Sequence, residues 1–210
     1  MRLSLFEHHL EAKAQLLWPA AVRALFIRAG SLTLTQADGT VHTLTSLACL
    51  FTETALTLEG AAEVWAFELS RQTLAAMTAE QRLHCVMSNE VGLEDQRAVV
   101  FRLDRVEFSP AFETPKHGHK GPGIRRLYEG RLVAEIGDEV RRLDQGDAWF
   151  ETGHDPVIGR NIAPHSGFVR AMVLPVALHG KSTFIPWDET EATKPRGTLR
   201  TEYFDRIVHC

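Results

Sequence analysis

The chain has 210 residues, 44% hydrophobic and 24% charged, with 15 glycines and 9 prolines; this ordinary globular composition excludes a disordered, fibrous or coiled-coil protein. The length suits one large domain or two of roughly 100 residues each. The 23 Lys plus Arg against 27 Asp plus Glu leave a formal charge of −4 with no basic cluster, so a nucleic-acid partner is disfavoured. No apolar run approaches the roughly 18 residues of a membrane span. The opening MRLSLFEHHLEAKAQ has acids where a secretory signal needs apolar residues, so the expectation is a cytoplasmic protein with no membrane partner.

Along the chain, short apolar runs of period two are broken by Gly, Asp or Pro: LFIRAGSLTL, VHTL, EVWAFEL, AVVFRL, RLVAEI and FVRAMVL. They predict an all-β protein of many short antiparallel strands. In Ala98–Phe108 the apolar positions Val99, Phe101 and Leu103 change phase to Val106 and Phe108, which predicts a bulge near Asp104 and Arg105. Helical spacing is confined to about 70–92, through Leu74, Met77, Leu83, Val86 and Met87. Thr78 with Gln81 fits a capping box there. The tail from Trp187 to Cys210 is polar and strand-poor until EYFDRIV and is expected to wrap on the surface or a partner. Cys49, Cys85 and Cys210 are odd in number and widely spaced, which suits reduced thiols with no nucleophilic role.

The halves repeat. Setting Gly30 on Gly130 puts Leu32 on Leu132, and a one-residue gap then puts Val41 on Val140 and Leu44 on Leu143. EVWAFEL, residues 63–69, aligns with FVRAMVL, residues 168–174. The organisation expected is an N-terminal β-unit over 1–70, a helical connector over 71–96, a C-terminal β-unit over 97–186 and an extension over 187–210.

Chemistry concentrates in TPKHGHKGPGIRRLYEGRL, residues 114–132. His117 and His119 are two apart, so on a strand both imidazoles leave one face and can reach a single cation. With Gly130 closing the next strand, this stretch resembles the first motif of the cupin superfamily, G-x5-H-x-H-x3-4-E-x6-G. GDEVRRLDQGDAWFETG, residues 137–153, is similar to the start of the second cupin motif. The resemblance implies two cupin-type jelly-roll β-barrels, a bicupin, holding a divalent transition metal, with a homodimer as the expected assembly; imidazole-rich coordination suits Fe, Ni, Cu or Zn better than Mg or Ca. Two departures stand out. The family's glutamate position falls on Gly123, and Glu129 lies about 20 Å further along a strand. The third histidine position falls on Pro156, with His154 two residues earlier at matching parity.

The candidate metal ligands are therefore His117, His119 and His154, with His165 a weaker one. Glu151 is a candidate ligand or general base. Arg125 shares the parity of His117 and His119 and is a candidate for binding a substrate carboxylate bidentately, unless it or Arg126 lies on the outer face. Trp149 and Phe150 must face opposite ways. In the first half the positions of His117 and His119 fall on Leu17 and Pro19, and adjacent His8 and His9 make a poor chelate, so that half is expected to be degenerate and structural. The resemblance leads first to a metal-dependent enzyme, dioxygenase-like, acting on a small organic acid or aromatic compound. The alternatives are a non-catalytic small-molecule binding or sensor protein, and a structural dimerisation unit.

Overall fold

A computed structural model describes every residue except 13, 73–75, 94–95 and 210. The chain divides into two compact units, Met1–Glu90 and Val91–His209.

The first unit comprises β1 (Arg2–Leu10), β2 (Gln15–Trp18), β3 (Val22–Gln36), β4 (Val41–Thr45), β5 (Cys49–Thr52), β6 (Leu56–Ser70), α1 (Ala79–His84) and β7 (Cys85–Glu90). Its sheet runs β4-β3-β6-β1-β7, with β2 on β6 and β5 on β3. The second unit comprises β8 (Ala98–Phe108), β9 (His117–His119), β10 (Gly123–Glu129), β11 (Arg131–Ile136), β12 (Glu139–Asp144), β13 (Ala148–Glu151), β14 (Val157–Asn161), β15 (Ser166–Pro175), a 3-10 turn over Val176–Leu178, β16 (Phe184–Pro186), α2 (Glu189–Thr193) and β17 (Thr198–His209). Its strands form two five-stranded antiparallel sheets, β13-β10-β15-β8-β17 and β12-β11-β14-β9-β16, the two layers of a jelly roll.

The repeat is written into the pairing. Leu32 opposes Leu44 and Thr35 opposes Val41, just as Leu132 opposes Leu143 and Glu135 opposes Val140. Gly30 and Gly130 both take positive φ, and a Cβ there would sit 2.2 Å from the Ala61 carbonyl oxygen and 2.0 Å from that of His165. Only glycine tolerates both constraints. A register shift follows Ile27 in one unit and Leu127 in the other. In two places the sequence alignment is one residue off. Ile27 pairs with Val64 as Leu127 pairs with Phe168, so Val64 rather than Glu63 answers to Phe168. Trp18 pairs with Leu56 as His117 pairs with Val157, so Trp18 rather than Leu17 stands at the His117 position. Burial agrees: Trp18 is 6% exposed and joins the core, whereas Leu17 is 72% exposed.

By the same pairing the counterparts of Arg125 and Arg170 are Leu25 and Ala66, and that of Glu151 is Thr52. The interior of the first unit is thus filled by Phe6, Leu25, Ile27, Leu34, Leu58, Val64 and their neighbours. Packing rather than a polar pocket is what its sequence encodes.

Three local expectations are corrected. Of the helix expected over 70–92, α1 forms, with Thr78 and Gln81 making the reciprocal capping box, but Cys85–Glu90 pairs with β1 as a strand, and Leu74 lies outside the described residues. Helical spacing misled there because α1 buries no side chain and Leu83 is 79% exposed. β8 carries no bulge: it stays in register with β15 from Val99 to Phe108, and the extra residue is Tyr203 on the facing β17. The apolar pattern of β8 breaks because two alternate positions hold Arg102 and Asp104, buried in ion pairs. The tail beyond 197 is a twelve-residue strand paired along β8, weakly patterned because it is a sheet edge.

Cys49 and Cys85 are free thiols whose pKa values burial pushes up, which makes them inert; Cys210 lies outside the described residues. Among the described residues no helix is long and apolar enough to cross a membrane.

Candidate functional site

Inside the second unit a cavity of about 180 Å³ opens between the two sheets. Its walls are apolar or aromatic, including Val106, Phe108, Leu132, Trp149, Phe168 and Phe184. Its polar groups are His117, His119, Glu151, four arginines (Arg125, Arg170, Arg196, Arg200) and a few hydroxyls. Two-residue alternation delivers them: β9 turns both histidines inward, and Arg125 and Arg170 lie directly opposite each other on β10 and β15.

The floor is a chain of ion pairs. Arg170 donates from Nε and Nη2 to the two oxygens of Asp104, at 2.9 and 2.8 Å, and Arg200 Nε donates to Asp104 Oδ2 at 2.8 Å. Asp104 is fully buried; burial alone would raise its pKa, but the two guanidiniums outweigh it and hold the carboxyl below its usual value. Arg125, also fully buried, donates from Nη1 to the Gly123 carbonyl at 2.6 Å, with Nη2 2.6 Å from Glu151 Oε2. Burial pulls its pKa down to about 10, which leaves it charged at neutral pH. The other Glu151 oxygen accepts from Trp149 Nε1 at 2.8 Å.

The histidines are neutral at neutral pH. Burial lowers the pKa of His117, and burial with Arg170 and Arg125 nearby lowers that of His119 further. His117 Nδ1 donates to the Pro115 carbonyl at 2.8 Å, which puts the lone pair on Nε2. His119 Nε2 lies 3.4 Å from Arg170 Nη1 and 3.6 Å from Glu151 Oε2, while its Nδ1 is buried with no hydrogen-bond partner among the described residues.

The expected residues divide accordingly. His117, His119, Arg125 and Glu151 come together in the cavity. His154 is exposed on the turn after β13 and is not among the cavity residues, despite its parity, because the chain leaves the strand at Gly153 with positive φ; His165 is exposed on another turn. Arg125 points inward, with Nη1 on the Gly123 carbonyl and Nη2 against Glu151, while Nε has no hydrogen-bond partner among the described residues. Trp149 faces in, as its neighbour Phe150 cannot. Gly123 cannot carry the expected glutamate, since a Cβ would lie 2.4 Å from the Ala171 carbonyl oxygen; its cross-strand neighbour Glu151 supplies the carboxylate instead.

Sequence reasoning missed Arg170, Arg200, Arg196 and the role of Asp104. The signal was present for two of them: Arg170 interrupts FVRAMVL and Asp104 interrupts AVVFRLDRVEF, each at an inward position. Opposite charges set singly into two apolar strands point to a buried pair.

A divalent metal of the kind the fold suggests does not fit this arrangement. Among the described residues no three His, Cys, Asp or Glu side chains are placed to hold a metal ion. Glu151 Oε2 is held 2.6 Å from Arg125 Nη2, and His119 Nε2 has the Arg170 guanidinium 3.4 Å away. Two guanidiniums beside the imidazoles also oppose a cation electrostatically.

No protein-family model and no curated protein sequence matches this chain. Solved structures do. An oxalate decarboxylase from Lactobacillus farciminis, crystallised as a formate complex, superposes with a TM-score of 0.64 over 92% of this chain and 82% of its own, at 12% identity. A salicylate 1,2-dioxygenase from Pseudaminobacter salicylatoxidans gives 0.54 over 81% and 70%, at 11% identity. A cupin 2 conserved barrel domain protein from Leptotrichia buccalis gives 0.51 over 81% and 82%, at 12% identity. At such identities the likeness is one of fold, and the fold is the cupin-type jelly roll.

Proposed function

We propose that the second unit binds a small organic acid with an apolar or ring-bearing body, and that this binding requires no resident metal. The observation that carries the reading is the cavity lining: four guanidiniums, three of them paired with Glu151, Asp104 and Glu202 and Arg196 with no carboxylate partner among the described residues, set in otherwise apolar and aromatic walls. Such a wall favours an anion and penalises a cation, while the apolar surface rewards a hydrocarbon body. A volume of about 180 Å³ suits a single ring with a carboxylate, since a cavity of about 150 Å³ holds benzene. Oxalate and salicylate, named for two proteins of the same fold, are organic acids, which supports the same substrate class.

Within the cavity the chain's own groups have distinct parts. The Arg170–Asp104 and Arg125–Glu151 pairs fix the floor and keep its field positive where His119 faces Arg170. His117 Nε2, held by the Pro115 hydrogen bond, is a neutral imidazole acceptor able to take a hydrogen bond or a proton from a bound acid's hydroxyl.

The test is thermal shift and calorimetry on the full chain after chelation, with benzoate, salicylate and oxalate beside benzamide. Metal content is measured in parallel for wild type and a His117→Ala, His119→Ala double variant. A carboxylate at a hundred times its Kd should stabilise the fold by about 2.7 kcal/mol without added metal. Equal affinity for benzoate and benzamide would overturn the anion reading. Stoichiometric metal retained through His117 and His119, with carboxylate binding lost on its removal, would restore the metalloenzyme reading.

A further inference from the structure

Resting on the anion reading, one question is which guanidinium receives the ligand. Three of the four already face a carboxylate. Arg125 is fully buried between Glu151 and the Gly123 carbonyl. Arg170 spends Nε and Nη2 on Asp104 and directs Nη1 at His119. Arg200 spends Nε on Asp104 and Nη2 on Glu202. Arg196 differs: it has no carboxylate partner among the described residues, and its guanidinium lies 4.2 Å from the centroid of the Phe184 ring.

We propose that Arg196 is the residue that reads the ligand's carboxylate, and that the segment following the barrel strands, from Phe184 to Arg196, is the specificity element of the site. The geometry is a column. The ring of Phe184 lies 4.6 Å from that of His117 at an interplanar angle of 18°, and the Arg196 guanidinium covers Phe184 in turn. A guanidinium resting on a ring keeps its N–H edge in its own plane, free to meet a carboxylate with two parallel hydrogen bonds. The ligand's anionic end would therefore sit at the mouth and its apolar body would run inward along Phe184 and His117 toward Trp149 and Phe168.

Phe184 and Arg196 are placed in the column by the backbone. β16 pairs with β9, opposing Phe184 to His119 and Pro186 to His117, and Lys120 N–H donates to the Thr183 carbonyl. Asp188 caps α2, the Lys116 N–H donates to Glu191, and Lys194 pairs with Glu191, so the short helix is tied back to the start of β9. Gly197 then takes positive φ with Phe112 packed where a Cβ would stand, at 2.0 Å. That turn fixes the exit of Arg196 just before β17 begins pairing with β8 at Thr198.

The experiment compares benzoate with benzamide by calorimetry on the full-length wild type, Arg196→Gln and Arg196→Lys, at low and high salt. Arg196 is exposed and has no ion-pair partner among the described residues to orphan, so the variants should keep the wild-type melting temperature. Wild type should prefer benzoate, and Arg196→Gln should weaken benzoate binding about tenfold while leaving benzamide unchanged. Salt should erode the benzoate preference of wild type but not what little Arg196→Gln retains. Arg196→Lys, a point charge without the fork, should recover only part of the loss. A wild type that prefers benzoate, matched by an unchanged preference in Arg196→Gln, overturns the assignment of Arg196 while leaving the anion site standing. A wild type with no benzoate preference overturns both.

Discussion

Asp104→Ala is the most informative single change for the floor of the cavity. Asp104 is fully buried and accepts three hydrogen bonds, two from Arg170 and one from Arg200. Its charge lies roughly 4 Å from the buried guanidinium of Arg170, which at an effective dielectric near 20 is an attraction of about 4 kcal/mol. Arg200 is 39% exposed on its side chain and adds less through solvent screening. Removing the carboxylate leaves Arg170 buried and unpaired, so a loss of about 3–5 kcal/mol is expected. Replacing both members, Asp104→Leu with Arg170→Met, should cost less than Asp104→Ala alone, because no buried charge is then orphaned. Urea unfolding read by hydrogen exchange in β8 and β15 localises the effect to the second unit, with β3 and β6 as internal reference. The pH profile gives a second readout. The folded pKa of Asp104 lies below its unfolded value, so its stabilisation is complete above the unfolded pKa near 3.8 and is lost as pH falls through the folded value. Asp104→Asn should flatten that acid limb. A cost below about 1 kcal/mol for Asp104→Ala, or a double variant worse than the single, would refute the buried-pair account.

Gly130→Ala should destabilise the second unit far more than Gly146→Ala. Both glycines have positive φ, but a Cβ at Gly130 meets the His165 carbonyl oxygen at 2.0 Å and one at Gly146 meets nothing within 4 Å; about 1–2 kcal/mol is expected for Gly146→Ala and several for Gly130→Ala by denaturant titration. His8, pushed down to about 4 by burial with His84 and Arg23 nearby, should make the first unit lose stability as pH falls from about 6.5 to 4, because the unfolded chain takes the proton first. The loss should be about 1–2 kcal/mol once partial solvent access is allowed for, and His8→Phe should abolish it in a pH series of unfolding curves. Thr78→Ala removes one side of the capping box and should fray α1 by about 1 kcal/mol, seen as faster amide exchange over Ala79–His84.

Much of the architecture was legible in the sequence because strand alternation and glycine turns are local. The pairing of Leu32 with Leu44 and of Leu132 with Leu143 follows from patterns a few residues long, as does the positive φ of Gly30 and Gly130. Parity put His117, His119 and Arg125 on one face of the chain without deciding whether Arg125 points inward, and the cavity holds all three together with Glu151. Parity fails where the strand stops: His154 follows Gly153 into a turn, and the inward count no longer applies. Nor does parity reveal a partner.

What those side chains can do was decided by tertiary contacts that no local pattern reports. Asp104 meets Arg170 across 66 residues of chain and Arg200 across 96, and these pairings determine which guanidiniums face a carboxylate. The same contacts turn His119 toward a donor and Glu151 toward Arg125, and it is on these contacts that the proposed anion site rests. Local sequence sets the direction in which a side chain leaves the backbone. Its charge partner, and hence its remaining chemistry, is set by the strand that folds against it.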